Sequence, residues 1–195
     1  PVQTDLRWQS PKVKWRAWFP NDTDLLSPWI QQDYATRWNL VVETMLRLKL
    51  NLIDVGEFSD RSIGKTRIPR DRGLAITTSH AAPLGAYLGD WERFWTDGTR
   101  KGPAPPLTLD NVQSLESFWE HHVRLAQRER LEMLWTIGFR GAGDKGFFKT
   151  FVDAPADDAA RARIVQQMMQ RQIAVLKRVT GQADPPMRTI LYDEC

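Results

Sequence analysis

The sequence predicts an α/β fold assembled from parallel βαβ units. Two observations carry that reading: short apolar runs of strand type recur along the chain, and long helical patterns separate most of them. The runs are Val13 to Phe19, Leu50 to Gly56, Leu74 to Thr78, Met133 to Phe139 and Met187 to Tyr192. Strands joined by helices pair in parallel through right-handed crossovers. Five of them fit either an open doubly wound sheet or part of a barrel, and spacing alone leaves both open.

The helices follow from apolar spacing. Trp38, Val41, Met45 and Leu48 lie three and four apart, which gives Tyr34 to Lys49 one apolar face for a sheet. Asp110 is the expected N-cap of the next helix, where Val112, Leu115, Trp119 and Ala126 share a face up to about Arg130. The last helix spans about Asp157 to Thr180, with Val165, Met169, Ile173, Leu176 and Val179 inward and Gly181 as its stop. Pro185 and Pro186 then forbid continuation. Gly98 to Leu109, with three prolines, reads as a loop inside a crossover, and Phe147 to Ala156 reads as another.

At 195 residues the chain is one domain by its length and can bury a core. Nine tryptophans suit a carbohydrate or other flat-ligand site as well as a large core, and core packing is the more frequent explanation. The 27 basic and 24 acidic residues nearly balance, so nucleic acid is not strongly implied; Trp38 and Trp119, moreover, fall on apolar helical faces. One cysteine, Cys195, excludes an intramolecular disulfide and a cysteine zinc cluster. No apolar run approaches the ~20 residues of a membrane helix. The opening PVQTDLRW has neither an initiator Met nor a signal pattern, and reads as an internal or processed segment.

Several sharper motifs fail on inspection. GFRGAG places its glycines at 138, 141 and 143, which is not the dinucleotide fingerprint, and no Lys-Ser/Thr follows to make a phosphate loop. No Gly-x-Ser-x-Gly elbow is present. His121 and His122 are adjacent in a helix, where neighbours point about 100° apart, so they are read as surface or satisfied histidines rather than joint metal ligands. His80 follows a predicted strand and falls at the rim where barrel enzymes place their chemistry; a binding and a structural role are weighed equally.

The stretch LWTIGFRGAGD, Leu134 to Asp144, carries the most chemistry, because a strand opens directly into glycines, an arginine and a carboxylate. MRTILYDE, Met187 to Glu194, repeats the arrangement and again ends a strand in acids. Two acids at the same end of neighbouring parallel strands are what a barrel glycosidase requires.

With these residues in view the chain resembles glycoside hydrolase family 115, the xylan α-glucuronidases, over the first part of their barrel domain. The matching blocks are VKWRAWFPND at 13–22, ETMLRLKLNL at 43–52, DRGLAITTSHAAPLGAYLGDW at 71–91, LWTIGFRGAGD at 134–144 and ILYDE at 190–194. The resemblance implies a (β/α)8 TIM-barrel type of fold, of which residues 1–195 form a single partial barrel with about five βα units. It implies an inverting release of glucuronic acid or its 4-O-methyl ether, without cofactor or metal. Asp144, at the last acidic position of the family's arginine-glycine loop, is implied as the general acid, and Glu194 as the base. Such a pair stands roughly 6.5–9.5 Å apart to admit a water. Arg140, His80, Asn21 and Asp22 are the implied substrate-binding residues, and Arg140 has the planar fork suited to a sugar carboxylate.

Departures from the family pattern fall in the loops. Where the family reads Ser-His-His-Glu-Pro-Met after strand three, this chain has Ser79, His80, Ala81, Ala82, Pro83 and Leu84. Ala142 stands where an acid is expected, Asp54 to Glu57 replaces an aromatic-rich motif, and Thr23 replaces an acid after Asn21 and Asp22. These changes spare Asp144 and Glu194 while altering the pocket wall, which keeps a non-catalytic carbohydrate-binding or scaffold descendant as the alternative. The expected partner is a polysaccharide or oligosaccharide substrate, with no nucleic acid and no membrane; a homodimer of the full-length protein is left open. The resemblance favours a secreted or periplasmic location.

Overall fold

In the computed structural model, which describes residues 11–20, 33–97, 102–143 and 145–190, every apolar run contributes a short strand. Strands β1 (Ala17–Trp18), β2 (Leu52–Asp54) and β3 (Ala75–Thr77) pair in that order and in parallel, with Leu52 opposite Ala75 and Asp54 opposite Thr77. Strands β4 (Trp135–Ile137) and β5 (Met187–Thr189) form a second parallel pair that sets Thr136 opposite Arg188. A parallel bridge between Ile76 and Met133 joins the two sheets: Ile76 N–H donates to Glu132 O at 2.7 Å and Leu134 N–H to Ile76 O at 2.9 Å. Neighbours therefore follow chain order throughout. No reversal of order, the mark of a doubly wound sheet, occurs among the described strands, and the arrangement is compatible with part of a barrel.

The helices are α1 (Tyr34–Arg47), α2 (Arg67–Asp71), α3 (Trp91–Thr96), α4 (Val112–Arg128) and α5 (Asp158–Thr180). Asp33 caps α1 by accepting the Thr36 N–H at 3.1 Å, and Val41, Val42 and Met45 are its buried face. Leu48, expected inward, is 66% exposed. The helix ends one residue before it, and Lys49 turns the chain away with φ of 60°. The cap of α4 also differs from expectation: Asn111, not Asp110, precedes the helix, and the amides of Leu109 and Asp110 donate instead to the Asp153 carboxylate at 2.7 and 3.3 Å. At the other end of the chain, Asp157 caps α5 through the Ala160 N–H, and Gly181 closes it in the left-handed conformation glycine adopts without strain. The buried stripe of α5 is rotated from the apolar reading. Val165, Met168, Gln172, Val175 and Leu176 face inward, while Met169, Ile173 and Val179 are only partly buried.

Alternation along each strand separates two environments. Ile53, Ile76, Trp135 and Ile137 lie in one large apolar core with Val42, Met45, Phe118, Trp119, Val123 and Leu176 of the helices. Each large side chain so buried contributes roughly 1.5–3 kcal/mol. Trp91, Trp119 and Trp135 are at most 4% exposed, so core packing accounts for these three tryptophans. Trp91 also donates its indole N–H to Pro105 O at 2.9 Å, fastening the proline loop. On the opposite face Leu52, Ala75 and Leu134 make a small separate cluster against Trp15. One step further along the strands that face becomes polar.

Candidate active site

The strand alternation that buries Ile53 and Ile76 against helices turns Asp54, Thr77, Thr136 and Arg188 to the other face, near the carboxyl ends of β2 to β5. Asp54 is 3% exposed. Its Oδ1 accepts the Gly56 N–H at 2.9 Å, in a turn that runs through φ of 77° at Gly56, and its Oδ2 accepts Arg188 Nη2 at 2.5 Å. Arg188 Nη2 also donates to Thr78 O at 2.9 Å, and Arg188 Nε to Thr136 Oγ1 at 3.2 Å. The Thr136 hydroxyl donates in turn to Thr78 O and lies 3.3 Å from the Thr77 hydroxyl. Three strand spacings separate β2 from β5, roughly 14 Å on a flat sheet, so an Asp54–Arg188 contact favours a sheet that curls about this face.

Burial pushes the Asp54 carboxyl above the usual carboxylate range, opposed by the Gly56 amide, by Arg188 and by the charge of His80. The guanidinium and the histidine thus favour the charged carboxylate that desolvation disfavours.

His80 and Arg140 are the two expected site residues within the described chain. Each lies three residues beyond the end of its strand, β3 and β4 respectively, on the same edge of the sheet. His80 is half-buried and close enough to Asp54 to act on its charge, whereas Arg140 is 3% exposed. Asn21, Asp22, Asp144 and Glu194 lie outside the described residues.

The residues on either side of position 144 are held by hydrogen bonds. Arg140 bridges Gly146 in antiparallel fashion, and Gly141 N–H donates to Lys145 O at 2.8 Å. Ala142 N–H donates to Thr150 Oγ1 at 2.9 Å and Gly143 N–H to the Tyr87 hydroxyl at 3.1 Å. A Cβ on Gly141 would stand 2.1 Å from Thr150 Oγ1 and 2.9 Å from Gly146 O, which explains the glycine there. Below the loop, α5 reaches the end of β4 through Gln172, whose amide accepts the Gly138 N–H at 3.0 Å and donates to Gly138 O at 2.6 Å.

His121 and His122 do not join this site. His122 is buried with Nδ1 2.8 Å from Phe118 O, and His121 Nε2 lies 2.6 Å from Asp60, as satisfied histidines. They border a pocket of about 520 Å³ with Asp60, Arg61, Phe94 and Arg128; none of its lining residues belongs to a strand. Among the described residues no group of three or more His, Cys, Asp or Glu could hold a metal ion.

Sequence reasoning passed over Arg188, Thr136 and the role of Asp54. Their signal was present, since Asp54 closes the apolar run LNLID and Arg188 interrupts the last strand, but only the fold brings the two together.

Comparison with known proteins adds the family. No curated protein matches the chain. The model of glycosyl hydrolase family 115 matches residues 8–195, nearly the whole chain and every strand described above. This chain belongs to glycosyl hydrolase family 115, a family of glycoside hydrolases.

Proposed function

We propose that the chain contributes the acid and base of an inverting α-glucuronidase-type hydrolase, built on the first five βα units of a (β/α)8 barrel. It acts on xylan or a related glycan bearing glucuronic acid or its 4-O-methyl ether. The observation that carries this reading is the family match over residues 8–195; the sequential parallel strands, with polar groups gathered at one edge, support it. Asp144 protonates the glycosidic oxygen as the bond from that oxygen to the anomeric carbon breaks. Glu194 takes a proton from a water whose oxygen bonds to the opposite face of the same carbon, so the configuration inverts. His80, Arg140, Asn21 and Asp22 bind the sugar, and a basic site favours uronic acids over neutral sugars.

A second reading, a carbohydrate-binding or scaffold descendant without turnover, is favoured by Ala82. It stands where the family pattern has a glutamate and is 0% exposed, so the position is packed rather than open to a ligand. The two readings separate in the complete protein. Hydrolysis of an α-glucuronosyl xylo-oligosaccharide, followed by NMR of the released anomer, is expected to give the inverted sugar. Asp144→Asn and Glu194→Gln should each cost on the order of 10²–10⁴ in turnover. Losses within about tenfold would remove the two carboxylates from these roles, and absence of turnover with retained sugar binding would select the scaffold reading.

A further inference from the structure

Resting on the uronide reading above, we infer that Arg188 is a specificity-determining residue whose guanidinium meets the carboxylate of the bound uronic acid. Arg188 is one of two guanidinium groups at this edge of the sheet, and the two differ in access. Arg140 is 3% exposed, while the Arg188 side chain is 26% exposed on the face that bears Asp54.

The donors of Arg188 are divided. Nε is committed to Thr136, and Nη2 to Asp54 and Thr78. Nη1 makes no hydrogen bond to any of the described residues, so its two N–H groups can serve a ligand. Asp54 of β2, the Thr78 carbonyl just beyond β3 and Thr136 of β4 therefore fix Nε and Nη2 and leave Nη1 to a ligand. Pre-ordering of this kind reduces the side-chain entropy lost when an anion binds.

Asp54 is a positioning residue here. It accepts the Gly56 N–H on one oxygen and Arg188 Nη2 on the other, and so orients the guanidinium. A carboxylate ligand fits the remaining donors better than a hydroxyl, because a charged acceptor strengthens each N–H bond about twofold.

Calorimetric titration of the complete protein with glucuronic acid and with glucose, which differ only at C6, tests the assignment. The ratio of the two affinities is expected to fall in the order unaltered protein, Arg188→Lys, Arg188→Gln. The glutamine variant should lose on the order of 10- to 100-fold for glucuronic acid, with glucose changing by less than about threefold. Lysine keeps the charge but not the planar fork, and its intermediate ratio tests the assignment even if the glutamine variant does not fold. An unchanged ratio in either variant, or equal losses for both sugars, would overturn the role of Arg188 while leaving the uronide reading in place. Equal affinity of the unaltered protein for both sugars would overturn the uronide reading as well.

Discussion

Gln172→Leu isolates the contact that fixes the end of β4 beneath the candidate site. Gln172 is fully buried, and its amide satisfies both the N–H and the C=O of Gly138. Leucine nearly preserves the volume, so the cavity contribution is small and the loss falls on two backbone groups that become buried without partners. Each such group costs roughly 1–3 kcal/mol, which makes the expected destabilisation ~2–6 kcal/mol. Domains have only about 5–15 kcal/mol of net stability, so the change is large. Urea unfolding of the complete protein, followed by tryptophan fluorescence, reads it as a lower midpoint at unchanged slope. Amide exchange should quicken at Phe139 and Arg140, which continue from Gly138 into the loop. A loss below about 1 kcal/mol would refute the reasoning, because it would mean that Gly138 does not depend on the amide.

Gly141→Ala should destabilise by roughly 1–3 kcal/mol, since Thr150 and the Gly146 carbonyl must both give way; an unchanged urea midpoint would refute the packing argument. The chain should also lose stability in acid through Glu129 and Glu120. Hydrogen bonds from Arg67, with Arg70 nearby, hold Glu129 below its ordinary 4.5, and those from Arg178 and Arg124 do the same for Glu120. Because both values are lowered by folding, the contribution is present above 4.5 and disappears as pH falls through the lower folded values. Glu120→Gln combined with Glu129→Gln should flatten the acid limb of a stability–pH curve; the same slope in the variant would exclude these pairs as its origin.

The strands and long helices were legible because their signals are local: apolar runs of the right length, apolar residues three and four apart, and a terminating glycine at 181. Legibility ended where a distant group intervened. The loop before α4 looked from the sequence as if Asp110 should cap, but Asp153, 44 residues from Leu109, holds the amides there. The stripe of α5 was misplaced because apolar periodicity has no place for a buried glutamine, and Gln172 is inward on account of Gly138. The positions of His80 and Arg140 just beyond strand ends were legible from the sequence. The Asp54–Arg188 pair was not, since nothing local in either segment specifies a partner.

That pair also bears on the order in which the chain assembles. Asp54 and Arg188 are 134 residues apart, and closing a loop of that length costs roughly 4 kcal/mol in chain entropy before any contact offsets it. Until β5 arrives, the Asp54 carboxylate has the neighbouring Gly56 amide and the charge of His80, but not the guanidinium that later pairs with it. The apolar outer core can consolidate around β2, β3 and β4 before that pairing forms. Docking of β5 then delivers the guanidinium to Asp54, so the countercharge of this buried carboxylate arrives with the last described strand.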